Sequence, residues 1–138
     1  MKLQPDKSDV QMISAYGPGW VGVAGQRITH NVIISSRGER IAWGSGRFED
    51  LAAANFEQLA EMRTELVIFG TGSRIRFPQP AWLQPLIARQ IGIESMDTAA
   101  ACRTYNILAQ EGRDVAVALL LEDAPDADRS ARGDSGVK

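Results

Sequence analysis

The residues best placed to do chemistry follow the most apolar stretch of the chain. The run from Leu66 to Phe69 predicts a buried strand, and it leads directly into Gly70-Thr71-Gly72. Successive amides in a glycine turn can point at one anion, and Arg74 and Arg76 follow closely. These residues could bind a phosphate or a carboxylate. Alternatively, the two glycines only let the chain leave the sheet sharply, with the threonine hydrogen-bonded within its own turn.

The glycine turn does not match the standard nucleotide-binding motifs. It lacks the Gly-Lys-Ser/Thr of a P-loop, and Ile75 stands where the dinucleotide motif has its third glycine. The sequence therefore predicts no cofactor.

A second group of candidates lies at the start of the clearest helical segment. Asp97 could act as a general base or orient a ligand, but it is also a good N-cap whose carboxylate accepts free helix amides. Cys102 could be a nucleophile, yet it lies well inside the helix, where a small buried cysteine usually packs. We favour the structural role for both. Thr98, Arg103 and Tyr105 complete this candidate group.

No complete catalytic set is marked out. A Ser/His/Asp triad cannot be assembled around the single histidine, His30, and no carboxylate pair stands out. One histidine and one cysteine also exclude a structural zinc site and an internal disulfide. Trp20, Trp43 and Trp82 lie beside turns or element ends, where they could anchor a partner or pack in the core.

Composition limits the class of protein. A chain of 138 residues with 44% hydrophobic content can bury the core of one domain. The formal charge of −2 gives no basic surface for nucleic acid, so no nucleic-acid partner is predicted. No stretch resembles a signal peptide or approaches the roughly 18 apolar residues of a membrane span. We expect a cytoplasmic protein that could form an oligomer.

The elements that must position the candidates alternate in type. Short strands are predicted between residues 12 and 43, with residues 26–34 as one run, and a helix over 52–62. A second helix should begin near Pro80 or near Gln84, and a third should run from Asp97 to Gly112 before a final buried strand. We predict a flexible lead-in over residues 1–10, a single α/β domain over 11–121 and a disordered tail over 122–138.

Three motifs carry a resemblance to a known family: Tyr16 to Gly19, Leu66 to Gly72 followed by Phe77-Pro78, and Gly92 to Asn106. The chain resembles, over about Ile13 to Leu121, small single-domain proteins of unknown function from bacteria and archaea. Their eukaryotic relatives include a mitochondrial assembly factor of respiratory complex I and an adipogenesis-associated protein. The family positions that carry over are Gly70, Thr71, Gly72, Asp97, Thr98, Arg103, Thr104, Tyr105 and Asn106.

The resemblance implies a three-layer α/β domain with a mixed central sheet, helices packed on it and an additional N-terminal β layer. It implies no established catalysis, and an assembly role in the mitochondrial branch. The leading hypothesis is a non-enzymatic interaction or assembly-accessory protein with a protein partner. The alternative is a small-molecule or anion-binding protein, or a minor enzyme, that uses a pocket between Gly70–Gly72 and the helix that starts at Asp97.

Overall fold

The computed structural model describes residues 10–122. Within that range the chain forms eight strands and three α-helices. The strands are β1 (Ile13–Gly17), β2 (Trp20–Val23), β3 (Gln26–Ile28), β4 (Val32–Ser35), β5 (Arg40–Ala42), β6 (Leu66–Gly70), β7 (Gly92–Met96) and β8 (Val115–Leu119). The helices are α1 (Ala53–Glu61), α2 (Gln84–Ala88) and α3 (Thr98–Gln110).

A mixed five-stranded sheet lies at the centre, in the order β5-β4-β8-β6-β7. Strand β8 pairs in parallel with β6 and antiparallel with β4, so it joins the two halves of the sheet. Strands β1, β2 and β3 form a separate antiparallel sheet. This arrangement confirms the predicted mixed sheet with an additional N-terminal β layer.

The central sheet buries a different cluster on each face, because successive strand residues point to opposite sides. One cluster joins Val67 and Phe69 to α1, α2 and Trp43. The other joins Ile68 to α3 and to the N-terminal sheet. Every residue of β8 is buried, which agrees with its uninterrupted apolar sequence. The two clusters define the predicted three layers.

The prediction of one continuous run over residues 26–34 is wrong. The first part forms β3 of the N-terminal sheet, and the last part belongs to β4 of the central sheet. The break falls at Asn31, whose amide donates to Gly46 O at 2.7 Å and accepts from Leu121 N at 2.8 Å. These side-chain bonds hold the segment that crosses between the two sheets. Both predicted starts of the second helix are found in the structure. A 3₁₀ turn begins at Pro80 and leads directly into α2, which begins at Gln84.

Helix α3 holds the N-terminal sheet through two adjacent side chains. The Asn106 amide accepts from Ile13 N at 2.9 Å and donates to Ile13 O at 2.8 Å, so it pairs with β1 as a neighbouring strand would. The buried Tyr105 hydroxyl donates to Gln11 O at 2.6 Å. Helical spacing alone predicts Ile107 on the apolar stripe of α3 and Asn106 on its polar face. Both predictions are wrong, because Ile107 is exposed and Asn106 bonds to β1.

We expect Asn106→Ala to lower the free energy of unfolding by about 2 kcal/mol, because it leaves both backbone groups of Ile13 without their partner. Urea denaturation measures this change, and hydrogen exchange should show faster exchange at the Ile13 amide. Gln110→Ala, at an exposed position of the same helix, is the control and should stay within about 0.5 kcal/mol of wild type. An equal loss of stability in both variants would contradict this role of the Asn106 amide.

Candidate functional site

The glycine turn lies at the carboxyl edge of the parallel strands, directly against the start of α3. A Cβ atom on Gly70 would lie 2.9 Å from Leu119 Cδ2, 3.0 Å from Ala101 Cβ and 3.2 Å from Thr98 Cα. Contacts this short leave room for glycine alone. The helix start is therefore packed onto the strand end.

Thr98 joins the glycine turn to the last strand. Its hydroxyl accepts from Gly72 N at 2.8 Å and donates to Leu120 O at 2.9 Å, and its own amide donates to Gly72 O at 2.9 Å. Thr71 is fully buried, and its amide donates to Met96 O at 2.9 Å. The Thr71 hydroxyl donates to Arg74 O at 2.7 Å and accepts from Arg76 N at 3.0 Å.

Arg76 is the cation that the structure brings to the turn. Its Nη2 atom donates to Thr71 O at 2.7 Å and to Glu122 Oε2 at 2.8 Å. Glu122 also accepts from Phe48 N at 2.9 Å, and the guanidinium lies 4.7 Å from the centre of the Phe48 ring. The two charged side chains are 15% and 8% exposed, so the ion pair is largely withdrawn from solvent. It fixes the segment that follows the glycine turn.

The sequence-predicted residues divide into two groups. The structure brings together Gly70, Thr71, Gly72, Arg76, Asp97 and Thr98. Asp97 is an N-cap, as favoured, because its Oδ1 accepts from Ala100 N at 2.8 Å. Arg74 is exposed, whereas Arg103 donates to the Tyr16 hydroxyl at 3.1 Å and Tyr105 faces Gln11. These last three do not join the cluster through their side chains.

The turn amides are used within the protein. Those of Thr71 and Gly72 donate to Met96 and Thr98, so an anion would have to displace these acceptors. Anion binding at this turn stays a prediction. An open cleft of about 360 Å³ lies at the other end of the parallel strands, lined by Arg63, Thr64, Arg89 and Ile91. Among residues 10–122 no group of His, Cys, Asp and Glu side chains could hold a metal ion.

Cys102 and two of the three candidate tryptophans are buried and pack in the core. Cys102 is fully buried, and desolvation raises the pKa of its thiol to about 12 despite the nearby Arg103. Trp43 is fully buried and donates to Asn55 O at 2.9 Å, and Trp82 is also buried. Trp20 is partly exposed beneath the Arg27 guanidinium, 4.0 Å from its ring centre.

Glu122 is a partner of the cluster that was not predicted from the sequence. It falls in the stretch predicted as a disordered tail, yet the structure places it in the Arg76 ion pair. Residues 123–138 lie outside the described residues, as do 1–9. No local pattern could have found Glu122, since its partners Phe48 and Arg76 are distant in the sequence.

The fold places the chain among Mth938-like α/β domains. A solution structure from Bordetella pertussis, described as a Mth938-like domain, superposes with a TM-score of 0.76 at 32% identity and covers 93% of this chain and 98% of that one. A crystal structure from Bordetella parapertussis gives 0.76 at 39% identity, covering 80% and 95%. Among the described residues no helix has the length and apolarity needed to cross a membrane.

The chain belongs to the family described as "Protein of unknown function (DUF498/DUF598)", whose profile matches residues 13–120. An uncharacterised protein of Rhodobacter capsulatus is 33% identical, with 85% of this chain and 90% of that protein covered. The human "NADH dehydrogenase [ubiquinone] 1 alpha subcomplex assembly factor 3" is 31% identical over 86% of this chain. This chain spans 65% of the human relative and 45% of its bovine counterpart.

We expect Thr98→Val to lower the free energy of unfolding by about 1 to 3 kcal/mol, because the buried Gly72 amide loses its acceptor while the side-chain shape is kept. Thr98→Ser retains the hydroxyl and is the matched control. Thermal and urea unfolding measure both variants. Equal stability of Thr98→Val and wild type would show that the hydroxyl does not hold the turn.

Cys102 should resist alkylation by iodoacetamide at pH 8. A pKa of about 12 instead of 9.0 reduces the thiolate fraction about a thousandfold. Mass spectrometry follows the reaction, with the urea-unfolded chain as the reference. Native labelling as fast as that of the unfolded chain would show that burial does not protect the thiol.

Proposed function

We propose that the protein is a non-enzymatic interaction or assembly-accessory protein of the bacterial cytoplasm, and that the segment after the glycine turn contacts a protein partner. The observation that supports this is the exposure of two large apolar side chains on a firmly held loop. Ile75 is 51% exposed and Phe77 is 70% exposed. They flank Arg76, which is bound inward.

The loop has the properties of a rigid interaction site. Arg76 bonds to Thr71 and Glu122 on the inner side, so the two apolar neighbours are held outward. Aromatic and apolar anchors contribute most of the binding free energy at protein interfaces, and a preformed loop loses little conformational entropy on binding. Exposed apolar side chains on an anchored loop are thus suited to a partner protein.

The charged side chains around the loop leave Arg74 as the cation beside the apolar pair. Arg76 pairs with Glu122 and with the exposed Glu49, whose Oε2 lies 3.5 Å from its Nη1. Arg74 is exposed next to Ile75. A partner that receives both apolar side chains in a depression and places a carboxylate opposite Arg74 would complement this arrangement.

The relatives support a role in assembly. Several of the similar proteins carry the name of an assembly factor for NADH dehydrogenase. We extend to this chain only the general role, a domain that binds other proteins during assembly of a complex. Because this chain spans part of those relatives' length, the specific complex is left to experiment.

We expect the double substitution Ile75→Ser and Phe77→Ser to remove partner capture without changing stability. Cross-linking in native cells, followed by affinity purification, should recover a reproducible set of partners with wild-type protein and at least tenfold less with the double variant. Removing two apolar anchors typically weakens an interface by 2 kcal/mol or more, about a thirtyfold change.

Ile87→Ser is the matched control, because Ile87 is 59% exposed but lies on α2. It should retain the full set of partners. Absence of any reproducible partner, or equal loss in the control, would contradict the proposal.

A further inference from the structure

Strand β7 is the edge of the central sheet. Within the described residues 10–122 it pairs with β6 alone, so one side of its backbone has no strand partner there. Gly92 N donates to Glu65 O, and Met96 O accepts from Thr71 N. In a parallel ladder alternate residues bond to the same neighbour, so Gly92, Glu94 and Met96 face β6. The N–H and C=O groups of Ile93 and Ser95 therefore point away from the sheet.

The other strand edges are shorter or closed. Strands β3 and β5 have three residues each. The β1 edge is occupied at Ile13 by the Asn106 amide, which takes both its N–H and its C=O. Strand β7 has five residues and includes no proline. Of the edges in the described part of the chain, β7 thus offers the longest template for another strand.

Glu94 argues against a second copy of this chain as the added strand. The antiparallel pairing that uses both outward residues of both copies places Ile93 opposite Ser95 and Glu94 opposite its own equivalent. That central pair is of the non-hydrogen-bonded type, with its Cα atoms only about 4.5 Å apart. Two exposed carboxylates directly opposite each other are destabilising. The same carboxylate favours a cationic residue across the strand pair.

We propose that β7 accepts an extended segment of a partner protein as a sixth, antiparallel strand, with a Lys or Arg opposite Glu94 and an apolar residue opposite Ile93. Four main-chain hydrogen bonds, two at each outward residue, supply the register, and the charge pair supplies the selectivity. Ile93 already packs at the margin of the α1 and α2 cluster, so an apolar partner side chain extends that cluster.

This inference rests on the proposed function only in that the partner is a protein. The site itself is separate from Ile75 and Phe77, because those two residues follow strand β6, whereas the proposed site is the outward edge of β7.

The test uses two synthetic peptides, acetylated and amidated, with the sequences Thr-Val-Lys-Val-Thr and Thr-Val-Glu-Val-Thr. Each is titrated to millimolar concentration into ¹⁵N-labelled protein. The lysine peptide should shift and protect the Ile93 and Ser95 amides and bind about three- to fivefold more tightly than the glutamate peptide. Perturbation elsewhere, or no preference between the peptides, would overturn the proposal.

Three variants test the main-chain hydrogen bond at Ser95 and the charge pairing at Glu94 separately. Ser95→Pro removes an outward N–H at an edge position that tolerates proline, and should weaken lysine-peptide binding at least tenfold, whereas Ser95→Ala should not. Glu94→Lys should reverse the preference between the peptides. If Ser95→Pro does not fold, the charge reversal alone decides. A concentration-dependent dimer with protected Ile93 and Ser95 amides would overturn the proposal in favour of a second copy.

The two proposals fail separately. The Ile75→Ser and Phe77→Ser double variant should still bind the lysine peptide at β7. Peptide binding at β7 without any cellular partner would contradict the interaction role and leave strand addition standing. Specific cellular partners without peptide binding at β7 would overturn strand addition alone.

Discussion

The close approach of helix α3 to strand β6 is the constraint on which the other features depend. Gly70 permits it, because any side chain there would collide with Thr98, Ala101 and Leu119. The approach allows the Thr98 hydroxyl to reach both Gly72 and Leu120. It also fixes the origin of the helix whose far half carries Asn106. One contact at the sheet edge thereby sets the position of the N-terminal layer.

Arg76, Thr71 and Glu122 form a polar cluster that is densely hydrogen-bonded. The Arg76 guanidinium donates to the Thr71 carbonyl and to the carboxylates of Glu122 and Glu49, and the described residues include no buried side-chain polar atom without a partner. A buried ion pair of this kind adds little net stability relative to apolar packing, but it enforces one arrangement because a lost partner leaves a buried charge. The loop therefore keeps one conformation, and its apolar side chains Ile75 and Phe77 stay exposed to solvent.

The sequence predicted what depends on local patterns. Four apolar residues before Gly70 gave the buried strand, and Asp97 before an alanine-rich run gave the helix start. The break at Asn31 and the exposure of Ile107 were not predictable, because both depend on which sheet or helix lies opposite. Glu122 was missed for the same reason: its composition context is that of a tail, and its partners come from distant segments. The three-layer arrangement with its additional N-terminal β layer followed from the motif resemblance more than from local patterns.

The order of strands has a consequence for biosynthesis. Strand β8 is the last strand in the described part of the chain, yet it lies between β4 and β6 and joins the antiparallel and parallel halves. Until residues 115–119 leave the ribosome, those halves share no hydrogen-bonded ladder, and their apolar faces have no central partner. The five-stranded sheet thus closes only after residues 115–119 have been synthesised, through pairings of high sequence separation. Until then the nascent chain must keep two exposed half-sheets apart.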